Sequence, residues 1–331
     1  MSAEVSTVPV AVRVSAKINL FLGVGRRGED GYHPLATVFE AIGLHDVVTA
    51  TVRTDDAITV TTSGEDADEV PDDRTNLAVR AADLLRCTRR HPHLGVDLHI
   101  DKTIPVAGGM AGGSADAAGA LLACSVAWGL DASAEELHDL ATQLGSDVPF
   151  CLIGGVALGT GRGERLVPIP TPATHTWVVA TAHEGLPTPS VFGRFDDLGD
   201  VHEVCVPTQL IAALATSDAE DIADVMGNDL QPAAVSLRPD LADVLAQGQR
   251  AGAHTALVSG SGPTCVFLAP DESAAHRIAA QLVQLPQVRT TRIATGPVAG
   301  AQLLPNAVRS ARDAAGLSLI HISEPTRQAE I

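Results

Sequence analysis

The sequence predicts a protein of mixed strands and helices in two domains, on three observations. At 331 residues, 45% of them hydrophobic and with a mean hydropathy of +0.17, the chain can bury a sizeable core, and its length fits two domains. Apolar patterns of period two and period 3.6 alternate along it. Glycine and proline crowd residues 154–172, where a boundary between domains belongs.

Residues 10–22 are β-rich, Gly25-Arg26-Arg27-Gly28-Glu29-Asp30-Gly31 interrupts with turn residues, and residues 37–53 resume the β pattern. A strand, an exposed loop and a returning strand are expected. Leu77, Ala81, Leu84 and Leu85 give residues 76–90 a helical spacing, and Val96-Asp97-Leu98-His99-Ile100 alternates as a half-buried strand does. That strand runs into a glycine-rich stretch, after which residues 115–128 form a small-residue helix, apolar nearly all round, that has to be buried. Ser133-Ala134-Glu135-Glu136 is a capping box for a helix ending near Gly145, and Asp147-Val148-Pro149-Phe150 opens a new segment. Strands at 177–182, 256–258, 265–268 and 288–293 then alternate with helices at 241–250 and 273–285. Residues 316–331 follow a helix stopped by Gly316, lack periodicity, read more like translated adapter sequence than domain, and are expected outside the fold.

Twenty-two basic residues against 40 acidic ones leave a formal charge of −18. A surface this acidic repels phosphate backbones and anionic lipid, so the expected partner is a small molecule, with no nucleic acid and no membrane. The most apolar stretch, 117–130, is broken by Gly119, Ser125 and Gly129 and falls short of the roughly 20 residues a membrane-spanning helix needs. Cys87, Cys124, Cys151, Cys205 and Cys265 are scattered without C-x-x-C spacing and read as buried free thiols of a reducing, cytoplasmic environment. The basic residues comprise 20 arginines and two lysines, Lys17 and Lys102. Where lysine is kept, a compact ammonium is indicated rather than a planar fork. The one tyrosine, Tyr32, and the asparagines Asn19, Asn76 and Asn228 fall in the segments that carry chemistry.

Gly23-Val24-Gly25-Arg26-Arg27-Gly28 fits the dinucleotide fingerprint G-x-G-x-x-G, but Gly31 and Pro34 follow where a helix is required, so it reads as a turn. The stronger segment is Pro105-Val106-Ala107-Gly108-Gly109-Met110-Ala111-Gly112-Gly113-Ser114. Its glycines let the backbone approach a ligand, and Ser114 opens a helix whose unpaired N–H groups and dipole favour an anion. The alternative is a loop packed tightly under a helix, and no Gly-Lys-Ser/Thr makes it a Walker loop. Lys102, at the end of the strand before it, is either an exposed charge or a phosphate contact. Asp116 reads as a complement to the helix dipole. Val258-Ser259-Gly260-Ser261-Gly262-Pro263 is a second small-residue loop, either a tight turn or another wall around a polyanion. Asp147 lies on a connection where carboxylates cap helices or catalyse, and His33, beside Tyr32, is a surface histidine or a ligand contact.

Together these segments resemble the GHMP kinases, small-molecule kinases that use a Gly/Ser-rich loop in place of a Walker loop. Ser15-Ala16-Lys17-Ile18-Asn19-Leu20 is similar to the family's first motif, residues 105–118 to its phosphate loop, and residues 258–267 to its third motif. Asp30-Gly31-Tyr32-His33, Leu144-Gly145-Ser146-Asp147-Val148-Pro149-Phe150 and Asn228-Asp229-Leu230 resemble the members whose acceptor is a cytidine diphosphate of methylerythritol. The resemblance covers roughly residues 10–300. It implies an α+β, two-domain fold with an N-terminal α/β domain (1–170) carrying the phosphate loop, a ferredoxin-like C-terminal domain (171–315), and the active site in the cleft between them.

The resemblance also implies ATP and Mg²⁺ as cofactors and transfer of phosphate to the 2-hydroxyl of the cytidine-diphosphate methylerythritol, on the non-mevalonate route to isoprenoids. Asp147 would take the hydroxyl proton, with Lys17 beside the same hydroxyl and the γ-phosphate. Asn19 and His33 would hold the acceptor, Tyr32 would stack on cytosine, and Thr188 with Phe192 would complete that pocket. ATP would lie along Pro105, Gly108, Gly109, Met110, Ala111, Gly112, Gly113 and Ser114, with Lys102 and Asn76 near the nucleotide. No metal ligand is assigned. Another GHMP kinase, for homoserine or mevalonate, would have no use for the Tyr32–Phe192 clamp, and a catalytically inactive nucleotide sensor would need no base paired with an ammonium.

Overall fold

The structure is a computed structural model and describes residues 8–106, 108–199, 203–216 and 219–305. Ala107 of the glycine loop and the 316–331 stretch lie outside the described residues.

Chain order explains the architecture. Two long strands, β1 (Val10–Val24) and β2 (Leu35–Arg53), form an antiparallel hairpin, followed by β3 (Ile58–Gly64), α1 (Leu77–Thr88) and β4 (Gly95–Lys102). Next come α2 (Gly112–Ala127), α3 (Ala134–Leu144), α4 (Val148–Ile153), β5 (Val156–Gly161) and β6 (Arg165–Pro168). The later part holds β7 (His175–Ala182), α5 (Thr188–Leu198), α6 (Thr208–Thr216), α7 (Ala219–Val225), β8 (Gly227–Asn228), α8 (Gln231–Leu237) and α9 (Asp240–Arg250). It closes with β9 (Thr255–Val258), β10 (Cys265–Ala269), α10 (Glu272–Leu282), β11 (Val288–Gly296) and β12 (Gln302–Leu303).

Among the described residues the strands make two sheets. The first runs β12-β1-β2-β4-β3, with the β5–β6 hairpin paired to the early half of β2 and β8 paired to β1. The second is antiparallel in the order β11-β7-β10-β9. With helices between β7 and β9 and between β10 and β11, this is the split β-α-β arrangement expected of the ferredoxin-like lobe. The glycine- and proline-crowded 154–172 stretch contains β5 and β6, which still belong to the first sheet, and the chain passes to the second sheet between Pro168 and His175. It then returns twice to the first sheet, at β8 and β12.

The central strands β7 and β10 of the second sheet are buried on both faces and read as largely apolar runs, whereas the edge strand β11 is mostly half-buried and polar. Val178, Ala180, Val258 and Phe267 pack under helices α5, α8, α9 and α10, while Trp177, Val179, Val266 and Leu268 face the core shared with the first lobe. A buried polar link accompanies that contact: the fully buried Glu40 of β2 accepts from Trp177 Nε1 at 2.9 Å and lies 2.7 Å from His175 Nδ1. Arg289 and Arg292 of β11 add ion pairs to Asp66 (2.7 Å) and Glu65 (2.8 Å) after β3. Cys124, Cys151 and Cys265 are buried, and burial pushes the Cys265 thiol up to about 12. Cys87 and Cys205, expected to be buried, are exposed.

Helix α2 is the small-residue helix foreseen, and it begins at Gly112, two residues before Ser114. Ten of its residues are buried, because alanines and Gly119 allow it to lie close on β1 and β2. A Cβ at Gly119 would come within 2.8 Å of side-chain carbons of both Val14 and Val48. Gly119→Ala is expected to cost about 1–3 kcal/mol through overpacking, read as a lower urea midpoint at unchanged slope; an unchanged midpoint would mean that the helix has room to spare.

Candidate active site

Strand β1 supplies the first two functional side chains. Lys17 and Asn19 are two residues apart, so the pleat sends both to the same face. Lys17 is only 5% exposed. Its ammonium donates to Asn19 Oδ1 at 2.8 Å and lies 5.3 Å from the centre of the Phe39 ring, while Asn19 Nδ2 donates to Thr37 Oγ1 at 2.8 Å. Asp147, at the start of α4, brings Oδ2 to 3.6 Å from Lys17 Nζ, with its side chain about one-third exposed. A held ammonium thus faces a carboxylate that is open to the cleft.

The glycine loop meets the same strand. The Met110 carbonyl accepts from the Lys17 backbone N–H at 3.2 Å, and Ala111, at φ +58°, turns the chain into α2 without any side-chain cap. The first N–H groups of the helix, on Gly112, Gly113 and Ser114, are therefore left for an anion. Gly109, at φ +72°, touches the second small-residue loop so closely that a Cβ there would lie 2.6 Å from the Ser259 carbonyl. That second loop is braced by Asn228, whose Nδ2 donates to the Val258 and Gly260 carbonyls, both at 2.7 Å. One cavity of about 530 Å³ is lined by Lys17, Asn19 and Asp147, by Gly108–Gly109 and Ala111–Ser114, and by the 260–262 loop.

Three residues in and beneath the loop are buried. The Met110 side chain is 1% exposed and belongs to the core, so its carbonyl is what the loop uses. Lys102 presents no free ammonium to a nucleotide: it lies 2.5 Å from Asp46 Oδ2 and 2.8 Å from Asp116 Oδ2 beneath the loop. Asp116, expected to complement the helix dipole, is buried in that triad near the start of α2. Burial pushes the Asp116 carboxyl up to about 7 against the pull of Lys102, and the two carboxylates, outweighing burial, hold the Lys102 ammonium above its ordinary range. Asp46 also accepts from the N–H groups of Thr103 (2.6 Å) and Ile104 (2.8 Å), fixing the entry to the loop. Asn76 caps α1 by accepting from the Ala78 N–H at 2.8 Å, and with Lys102, Pro105, Gly112 and Gly113 it lines a side cavity of about 200 Å³.

At the other end of the cleft, Tyr32, His33, Thr188 and Phe192 line a groove of about 420 Å³ that shares Thr188 and Phe192 with the main cavity. Tyr32 is 54% exposed. His33 is buried, with Nδ1 at 2.8 Å from the Gly25 carbonyl, Nε2 at 3.4 Å from Asp196, and its ring 5.2 Å from that of Phe192. Thr188 shares a 2.9 Å hydrogen bond with Ser261 of the second loop. Lys17, Asn19, Tyr32, His33, Asp147, Thr188, Phe192 and most of the glycine loop therefore line two adjoining cavities that share a wall, whereas Asn76, Lys102, Pro105 and Met110 line neither.

Comparison with known proteins agrees with that geometry. The GHMP kinases N terminal domain model matches residues 76–155, and the GHMP kinases C terminal model residues 210–285. A protein of Cutibacterium acnes named 4-diphosphocytidyl-2-C-methyl-D-erythritol kinase is 58% identical over 309 residues, 91% of this chain and 99% of that protein. The chain belongs to the GHMP kinase family. A second relative of the same name, from Streptomyces avermitilis, is 53% identical over 89% of the chain and 99% of its own length. A crystal structure of 4-(cytidine 5'-diphospho)-2C-methyl-D-erythritol kinase superposes with a TM-score of 0.71 at 33% identity, covering 86% of this chain and 98% of that one. A homoserine kinase of Cytophaga hutchinsonii has the same TM-score at 18% identity, covering 89% of this chain and 97% of that one, and shares the fold.

The sequence reading gave no site role to several residues that line this GHMP kinase cleft or support it. Phe39 and Thr37 lie behind Lys17 and Asn19, Asp46 anchors Lys102, and Ser146 and Arg162 line both the main cavity and the aromatic groove. Thr37 and Phe39 were discoverable, since β2 alternates and returns along β1; Arg162 looked like any surface arginine.

The Lys102 triad makes stability depend on pH. Asp116 binds its proton more tightly in the folded chain, near 7 instead of 3.8, so its contribution is complete below about pH 3.8 and is lost as the pH rises through about 7. Asp116→Asn is expected to flatten the decline of the urea midpoint across that window. An equally steep decline in the variant would place the slope elsewhere.

Proposed function

We propose that this chain transfers the γ-phosphoryl group of ATP to the 2-hydroxyl of 4-diphosphocytidyl-2-C-methyl-D-erythritol. The observation that carries the reading is Lys17 held 3.6 Å from Asp147 in a cavity walled by the glycine loop, in a chain whose closely similar relatives bear that kinase's name.

Phosphoryl transfer needs alignment and charge neutralisation more than covalent chemistry. The uncapped N–H groups of α2 receive phosphate oxygens, with the helix dipole favouring their charge. Asp147 Oδ2 accepts the proton of the acceptor hydroxyl as its oxygen bonds to the γ-phosphorus and the bond to the leaving ADP oxygen breaks. Lys17, kept in place by Asn19, meets the charge that develops on the transferred group. Against a net charge of −18, such local cations set the field at the phosphates.

Ser114 and Asp147 are among the oxygen-bearing residues that line the main cavity beside the glycine loop, and no group of three or more His, Cys, Asp or Glu gathers for a metal among the described residues. Hard oxygen donors suit Mg²⁺, and Ser114 and Asp147 are the residues that would hold it beside the phosphates of ATP. When bound, that ion neutralises phosphate charge.

The aromatic groove supports the cytidine assignment, since a base laid on an exposed tyrosine gains about 1–3 kcal/mol of stacking, and a homoserine or mevalonate acceptor has no ring to place there. Among the described residues no helix is long and apolar enough to cross a membrane.

In an ADP-release assay with the cytidine-diphosphate acceptor, Asp147→Asn is expected to lower kcat by about 10²–10⁴-fold while ATP binding stays within a few-fold of the parent. A near-normal kcat would remove Asp147 from the role of base.

A further inference from the structure

Arg162 sits between Gly161 and Gly163 at the turn of the β5–β6 hairpin, where it reaches across the cleft. Among the described residues it is the one cation that lines all three neighbouring spaces: the cavity of Lys17 and Asp147, the aromatic groove, and the open basin of about 890 Å³ beyond Tyr32. The other cations have different positions. Lys17 faces the reacting end. Arg27 Nε donates to the Gly31 carbonyl and its guanidinium lies 4.0 Å from Asp196, and Arg26 and Arg165 line only the outer basin.

The Arg162 guanidinium lies 3.5 Å from the centre of the Tyr32 ring and 3.2 Å from Asp30 Oδ2. Both partners are more than half exposed, and exposed ion pairs of this kind are weak enough to exchange. A planar, permanently charged fork is suited to two phosphate oxygens at once. An acceptor that lays its base on Tyr32 and offers its hydroxyl to Asp147 must carry its diphosphate between these two points, past Arg162.

Resting on the function proposed above, we infer that Arg162 is a specificity-determining residue that takes the acceptor's diphosphate, with Asp30 and the Tyr32 ring holding it until the acceptor arrives. The nucleotide phosphates are left to the glycine loop, so Arg162 acts on acceptor binding and little on ATP.

Calorimetric titration of the whole chain with CDP and with cytidine, beside acceptor kinetics, tests this. Arg162→Ala is expected to weaken CDP about tenfold, as loss of a charge-assisted contact does, while cytidine changes less than about threefold. The KM for the acceptor rises similarly, with kcat at saturation and the KM for ATP within about threefold. Arg162→Lys should recover part of the CDP preference, and Asp30→Asn, by removing the competing carboxylate, should tighten CDP. Arg162 lies on an exposed turn, and an unchanged melting temperature of the variant separates recognition from folding. A CDP-to-cytidine ratio unmoved by Arg162→Ala, with the parent chain active, overturns the role of Arg162 and leaves the proposed function standing. A rise confined to the KM for ATP overturns it as well, and a parent chain that neither binds CDP nor turns over the acceptor overturns both.

Discussion

The hydrogen bond from the Lys17 N–H to the Met110 carbonyl ties the parts of this molecule into one device. On one side of it stands the strand that carries the reactive ammonium, and on the other the turn that launches α2. Because a backbone bond of this kind fixes register as well as distance, the cradle for phosphate and the cation beside it move together. The close seating of α2 on β1 and β2, and the Asp46–Lys102–Asp116 triad under the loop, hold the same relation from the opposite side.

Burial costs explain why the triad is not simply a spare cation for the ligand. A lone lysine at 3% exposure would be expensive to keep charged, and two carboxylates make it tolerable at the expense of raising the proton affinity of one of them. Among the described residues the Asp116 Oδ1 atom has no hydrogen-bond partner, and the same burial raises that carboxyl's proton affinity. The loop above is consequently anchored through charge, while its own surface stays neutral and rich in N–H donors, a suitable division for a site that has to release a polyanionic product.

Much of this was legible in the sequence because the signals were local. β-branched runs, the capping box at Ser133, the small-residue helix and the scarcity of lysine each reflect a rule about a few neighbouring residues. Lys17 and Asp147, far apart in the chain, could be linked only through resemblance, and the structure brings them together. The misses share a cause. Asp46 sits in an ordinary alternating strand, and nothing local distinguishes a carboxylate that will be buried against a lysine from one in water. β3 carried a β-branched signal, Ile58-Thr59-Val60-Thr61-Thr62, that could have been read. Helices α5 and α8 contain prolines in their first turn, Pro189 and Pro232, which in a glycine- and proline-rich chain look like loop punctuation. Tertiary burial, not pattern, decided Met110, Lys102 and Asp116.

The two returns of the chain to its first sheet, at β8 beside Phe21–Leu22 and at β12 beside Val12–Arg13, interlock the lobes along β1. Neither half is a cassette that recombination could lift out at a single seam: a donor lobe would have to bring ribbons matched to the flank of β1. The loop of Tyr32 and the hairpin tip of Arg162, which line the aromatic groove, lie outside that weave and can vary without unpicking it.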